Sequence, residues 1–231
     1  MRSSGLYVLA CVPPLIINLF AVGYNWDLVA NVSFLAVFIP LFVGFGRKLD
    51  WSNINSSVFI VLTVLAGLAG LVEIDHLNLI FLFFGMFSYV FLAREALKYT
   101  QRQAANRYML LLFFLLIALN VYFLYGHLEE MGSQSMNFLE LSFYSLYYIN
   151  LLILGIVGLV YYLNSYSRKS VYFVSLVMML VLADVLRDMA DFYLQVTSVL
   201  LLESLLRFGS IVLAFLFFTT REKKLRLINL V

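Results

Sequence analysis

The apolar residues of this chain fall into eight long runs that are separated by short polar segments. Each run is continuous rather than alternating with a period of two, and therefore predicts a helix rather than a barrel strand. A helix needs about 20 mostly apolar residues to cross a hydrocarbon core of about 30 Å. The runs that meet this length predict spans near residues 5–22, 28–46, 58–75, 77–93, 108–125, 138–163, 171–192 and 198–220.

We therefore expect an all-α, polytopic integral membrane protein, in which residues 1–231 form one domain, a bundle of eight transmembrane helices. Pro13, Pro14 and Pro40 lie inside runs and predict kinks, because proline removes a main-chain donor and its ring clashes with the preceding turn. The first run follows Arg2 but shows no small-x-small cleavage site, so we interpret it as an uncleaved first helix.

Composition supports a membrane protein, since 64% of the residues are apolar, 12% are charged and the mean hydropathy is +0.97. Soluble domains carry about 25% charged residues. This difference excludes a soluble enzyme, a nucleic-acid-binding protein and a disordered scaffold, and makes the lipid bilayer the expected partner. Cys11 has no second cysteine to pair with, and His76 and His127 are the only histidines, so we expect no disulfide, no metal and no cofactor.

The basic residues predict the orientation of the bundle. If the N-terminus and every second loop lie on one side, that side holds every lysine and arginine except Arg187 and Arg207. The loops at 23–27, 73–76 and 126–137, on the opposite side, hold none. By the positive-inside rule, both termini are then cytoplasmic. Since the chain shows no organelle signal, we expect the inner (plasma) membrane of a bacterium.

Several acids lie within the predicted spans, near the non-cytoplasmic side. Asp184, Asp188 and Asp191 follow i, i+4, i+7 spacing and so share one helix face, where Arg187 can pair with Asp184 or Asp191. Asp184 is the deepest of these acids, and an intramembrane carboxylate is by default a candidate functional group.

Further polar residues are expected at a similar depth. Glu203 and Arg207 form an i, i+4 pair, and buried charges of this kind often serve only structure. The side chains of Asn18, Asn31, Asn120 and Asn150 complete a polar cavity that opens toward the non-cytoplasmic side. Tyr144, Tyr147 and Tyr148 suit an interfacial aromatic belt.

Four short motifs occur in order along the chain. Phe38-Ile39-Pro40-Leu41 lies in the second run, and Ile74-Asp75-His76-Leu77 lies at the end of the third. Phe84-Gly85 precedes Tyr89 in the fourth run, and Ala183-Asp184 precedes Phe192 in the seventh. This order resembles the YhhN family of lysoplasmalogenase-like membrane proteins, which have eight helices. The chain departs from the family pattern at five positions. In the order lysine, glycine, histidine, serine and asparagine, the family residues are replaced here by Ile39, Ile74, Ala93, Ala183 and Ala190.

The resemblance implies hydrolysis of the vinyl ether of a lysoplasmalogen, a lysophospholipid, to a fatty aldehyde and a glycerophospho-headgroup product. Cleavage needs one carboxyl group to protonate carbon and a second carboxylate to stabilise the cation or activate water. We expect Asp184 to be the general acid and Asp75 its partner. The substrate-binding candidates are Arg187 and Arg207, for the headgroup phosphate, with Asp188, Glu203, Asn120 and Asn150.

Two other functions fit the same residues. The acids of a transporter would bind protons or a small solute, although no convincing inverted repeat is visible. In a non-catalytic structural or sensor protein, the charges would only hold helices together. Asp75 and Asp184 within about 6 Å across a pocket would favour catalysis. Acids that are each paired with an arginine would favour the structural role.

Overall fold

The computed structural model describes residues 2–71, 77–100, 138–165, 167–193 and 196–222, with residues 114–115, 118, 121–122 and 125–126. The described part of the chain is all-helical. Its helices are α1 (Arg2–Leu9), α2 (Val12–Gly23), α3 (Asp27–Ala36), α4 (Phe38–Phe45), α5 (Ile54–Ala69), α6 (Leu77–Leu97), α7 (Phe138–Ser165), α8 (Arg168–Phe192) and α9 (Thr197–Thr219).

Prolines divide the first two predicted spans. The first is broken between α1 and α2 at Ala10 and Cys11, just before Pro13 and Pro14, and the second is broken at Val37, three residues before Pro40. A proline clashes with the carbonyl four residues earlier and cannot bond to it, so the helix is interrupted one turn upstream. The predicted kinks are therefore confirmed.

Six helical segments of the described chain are long and apolar enough to cross a membrane. They are Gly5–Gly23, Asp27–Phe45, Ile80–Leu97, Phe138–Ser165, Arg168–Ala190 and Thr197–Thr219. The predicted span at 58–75 corresponds to α5, which starts earlier because the Asn53 side chain accepts a hydrogen bond from the Asn55 N–H. With 16 residues, α5 is shorter than the other spans. Most of the predicted span at 108–125 lies outside the described residues.

The outer surface of the bundle is apolar, as expected in contact with lipid. Large side chains such as Ile39, Val43 and Ile153 are exposed. The interior is packed with aliphatic and aromatic side chains, among which Leu154 and Phe173 are fully buried.

Contacts between neighbouring helices form a closed ring. In order around it, α2 packs on α3, α3 on α5, α5 on α6, α6 on α7, α7 on α8, α8 on α9 and α9 on α2. The candidate site lies inside this ring, between residues of α3, α5, α6, α7, α8 and α9.

Candidate functional site

Asp184 of α8 joins four helices in the interior of the bundle, about two turns from the end of α8. It is fully buried, and its Oδ2 accepts hydrogen bonds of 2.6 Å from the hydroxyls of Tyr89 on α6 and Tyr147 on α7. Its Oδ1 lies 3.4 Å from Nη1 of Arg187 and 3.5 Å from Nη2 of Arg207 on α9. Both oxygens of this carboxylate are thus engaged by protein donors.

The two arginines are shared with two further acids. Arg187 Nε donates to Asp188 Oδ1 over 3.1 Å, and Asp188 is also bonded by the Tyr148 hydroxyl. Arg207 Nε pairs with Glu203, which confirms the expected i, i+4 ion pair. We call Asp184, Asp188, Glu203, Arg187 and Arg207 the charged cluster. This cluster of described residues contains three carboxylates and two guanidinium groups.

Phe81 of α6 lies against both guanidinium groups. The Arg187 and Arg207 carbons Cζ lie 5.0 Å and 5.5 Å from its ring centroid. At this distance the ring quadrupole attracts a cation. Nη2 of Arg187 is buried and has no hydrogen-bond partner within the described part of the chain. Within the residues that the structure describes, the cluster therefore has one buried donor without a hydrogen-bond partner.

A cavity of about 50 Å³ adjoins the charged cluster. Arg207, Tyr89 and Tyr147, which all bond to Asp184, line its wall, whereas Asp184 lies behind them. Thr63 of α5 and Ser210 of α9 add hydroxyl groups to the wall. Since one buried water needs about 10–15 Å³ of such space, the cavity has room for roughly three to five waters. Most of its wall is apolar, formed by residues such as Phe34, Phe59 and Leu180.

The structure brings together five of the residues that the sequence singled out, namely the members of the charged cluster. Asn150 lies apart from the cavity wall, and its Nδ2 donates to the Met86 carbonyl over 2.6 Å, which braces α7 against α6. Asp75 and Asn120 lie outside the described residues, as do His76 and His127. The side chain of Asp191 is likewise outside them. Of the two partners expected for Arg187, the pair with Asp184 is confirmed, and Asp188 is a further partner that the sequence analysis missed.

The expected interfacial belt of tyrosines is wrong. Tyr144, Tyr147 and Tyr148 are all buried, and two of them donate to the acids of the cluster. A buried carboxylate needs donors, and a phenol supplies one while filling core volume. The contact between Tyr147 and Asp184 could have been predicted from their depth in the bundle. Tyr147 lies about two turns after the start of α7, and Asp184 lies about two turns before the end of α8, which is antiparallel to α7.

A second polar cluster lies at the opposite end of the bundle. Glu95 of α6 is buried and accepts hydrogen bonds from Asn55, Tyr99 and Lys98, at 2.9, 3.0 and 2.8 Å. Burial and the Glu95 carboxylate raise the pKa of Tyr99, so its hydroxyl remains a donor. The buried Lys169 amine lies 3.9 Å from the centroid of the Tyr99 ring. This second cluster ties α5, α6 and α8 together.

No arrangement of three or more histidine, cysteine or acidic side chains that suits a metal ion occurs among the residues the structure describes. No protein-family model, curated protein or solved structure matches the chain.

Proposed function

We propose that the chain is a YhhN-like hydrolase that cleaves the vinyl ether of a lysoplasmalogen. In this proposal it spans the inner membrane of a bacterium with eight helices and has both termini in the cytoplasm. The proposal is supported by the order of the sequence motifs and by a buried charged cluster beside a small, mostly apolar cavity.

The chemical part of the proposal rests on one observation. The described members of the charged cluster include three carboxylates but only two guanidinium groups, so negative groups are in excess by one. Protonation of the vinyl ether at carbon creates an oxocarbenium centre. Water then adds to that centre and releases its proton, and the resulting hemiacetal collapses to an aldehyde and an alcohol. A fixed negative potential beside the reacting group stabilises such a cation in a low-dielectric site.

The ion pairs of Asp184 indicate which roles Asp184 and Asp75 have in the proposed reaction. Asp184 is held by two guanidinium groups and two phenols and does not reach the cavity, so we assign it a positioning role. It orients Tyr89, Tyr147 and Arg207 in the cavity wall and contributes negative potential. The proton donor is then Asp75, which reverses the division expected from the sequence.

A structural or sensor role is the second candidate, because each described acid of the cluster is paired with an arginine. This is the arrangement expected when charges serve to fasten helices. On that account the cluster locks α6, α7, α8 and α9 together and performs no chemistry.

Release of fatty aldehyde from a lysoplasmenyl lipid by purified protein in detergent separates the two candidates. Wild-type protein should release aldehyde, Asp75→Asn should abolish release, and Asp184→Asn should reduce it strongly. Asp27→Asn, at an exposed carboxylate, is the matched control and should match the wild type. Folding of each variant is checked by gel filtration and thermal melting. Absence of release from well-folded wild type, across headgroups and pH, would refute the hydrolase and leave the structural role.

A further inference from the structure

Glu222 lies beside the second polar cluster, at the end of the bundle away from the charged cluster. It belongs to the non-helical segment that follows α9, and its carboxylate reaches α7. Its Oε2 accepts a hydrogen bond from the Tyr161 hydroxyl, and its Oε1 accepts one from the Ser165 hydroxyl. Tyr161 is fully buried and Ser165 is 5% exposed. Two buried donors on one helix therefore converge on a carboxylate that a non-helical segment carries.

Lys169, at the start of α8, brings a buried ammonium group to the same place. Only 4% of this residue is exposed. Its Nζ lies 3.9 Å from the ring centroid of Tyr99 and 5.0 Å from that of Phe217, and within the described residues it has no hydrogen bond or ion pair. The Tyr99 ring also packs on Tyr161, with centroids 6.1 Å apart, so Lys169 and Tyr161 contact the same ring. A buried ammonium group has three N–H donors, and burial without an acceptor is costly.

The charges at this end are balanced only while Glu222 is in place. Lys98 forms an ion pair of 2.8 Å with Glu95 and neutralises that carboxylate. Glu95 and Glu222 are the acids whose negative charge reaches the Lys169 ammonium group. If Glu222 leaves, the other three residues keep one net positive charge, and the two hydroxyl donors of α7 lose their acceptor. In an interior of low dielectric constant, this arrangement favours an anion.

We propose that Tyr161, Ser165 and Lys169 form a binding site for a phosphate group, and that Glu222 is an internal carboxylate that occupies this site until an external anion displaces it. A phosphate group, like a carboxylate, offers charged oxygens to hydroxyl and ammonium donors. It also has a further oxygen for Lys169, with which Glu222 forms no ion pair. The start of α8 favours an anion as well, because Lys169 is the second residue of this helix. The phosphate is either a free ion or part of a lipid headgroup, and the site is independent of the proposed hydrolysis.

Thermal melting of the detergent-solubilised full chain tests the site. Sodium phosphate replaces sodium chloride at constant ionic strength and pH, and short-chain phosphatidic acid is compared with short-chain phosphatidylcholine. In Glu222→Ala, which lacks the internal carboxylate, phosphate should raise the melting temperature in a saturable way. The wild type and the control Asp27→Ala should need a concentration about tenfold higher for half of the effect, because Glu222 occupies most of their sites. A response to inorganic phosphate supports a free ion as the occupant, and a response to phosphatidic acid alone supports a lipid headgroup.

Second substitutions in the Glu222→Ala protein show where the phosphate binds. Lys169→Met removes the ammonium group and keeps an unbranched side chain, and Ser165→Ala removes one hydroxyl donor. Each should raise the half-saturating concentration about tenfold or more, the factor that corresponds to one hydrogen bond to a charged group. Arg94→Met is the matched control, because it removes an exposed cation from the last turn of α6, and it should leave the concentration unchanged.

Proteolysis gives a second test that does not depend on a stable Glu222→Ala protein. Trypsin cleaves after Lys223 and Lys224, which directly follow Glu222. Phosphate should accelerate this cleavage in the wild type, whereas Glu222→Gln should be cleaved faster than the wild type without phosphate and should respond little to it. The proposal is overturned if neither phosphate nor phosphatidic acid stabilises Glu222→Ala, or if Arg94→Met weakens the effect as much as Lys169→Met. Cleavage of the wild type that ignores phosphate would overturn it as well.

Discussion

Replacement of Tyr147 by phenylalanine tests whether Asp184 is the centre of the charged cluster. The change keeps the ring that packs in the core and removes only the hydroxyl that donates to Asp184 over 2.6 Å. A hydrogen bond to a charged group contributes about 1.5–3 kcal/mol, whereas interhelical bonds in a membrane protein average about 0.6 and reach about 1.7 kcal/mol. Because this acceptor is ionic and fully buried, we expect a loss near the upper membrane value, about 1.5 kcal/mol.

Thermal unfolding in detergent measures this loss. At about 2–4 °C per kcal/mol for a chain of this size, the melting temperature should fall by about 3–6 °C. Tyr172→Phe is the matched control, because its hydroxyl accepts an exposed hydrogen bond from Arg168 and its loss should cost less than about 0.5 kcal/mol.

The double variant with Tyr89→Phe sharpens the test. Both phenols donate to the same Oδ2 atom, so removal of the second leaves this oxygen without a described hydroxyl donor. We expect the double variant to lose about 0.5–1 kcal/mol more than the sum of the single losses. The shared role of Asp184 would be refuted if Tyr147→Phe had the same melting temperature as the Tyr172→Phe control. It would also be refuted if the double variant lost only the sum of the two single losses in stability.

Three further substitutions test the packing of the bundle, each by thermal melting against the wild type. Gly44→Ala should destabilise the protein by about 1–3 kcal/mol, because its Cβ would lie 2.6 Å from Tyr7 Cβ between α4 and α1; an unchanged melting temperature would contradict this close approach. Asn55→Ala should cost about 1–3 kcal/mol, since it removes a donor from the buried Glu95 carboxylate, and a neutral effect would mean that this bond is not formed. Pro40→Ala should stabilise the protein by about 1 kcal/mol, because it supplies a main-chain donor for the Ala36 carbonyl and lets α3 and α4 join across Val37; a melting temperature that does not rise would show that other contacts hold the break.

Local chemistry explains which features of the fold could be predicted from the sequence. The breaks before Pro14 and Pro40 depend only on residues within one turn, and the structure has both. The start of α8 is similarly local, because Ser167 and Ser170 form a reciprocal capping box there. The number of helices that cross the membrane depends on the whole chain: the described residues contain six helical segments long enough to cross, and most of the predicted span at 108–125 lies outside them.

The candidate site was only partly predictable, because its partners come from different helices. The spacing of Arg187 after Asp184 is a property of one helix and correctly predicts their ion pair. The contact of Arg207 with Asp184 depends on how α9 crosses α8, which no spacing within one segment determines. The phenols of Tyr89 and Tyr147 reach Asp184 for the same reason, and hydropathy placed Tyr147 at the interface instead.

Hydrolysis of a lysoplasmenyl lipid in D₂O tests the proposed function most directly. Protonation at carbon should place one deuterium on the aldehyde carbon next to the carbonyl group, and Asp75→Asn should yield neither aldehyde nor label. The Asp27→Asn control should give labelled aldehyde at the wild-type rate. Aldehyde without deuterium at that carbon, or no aldehyde from folded wild-type protein, would contradict carboxylate-driven cleavage of a vinyl ether.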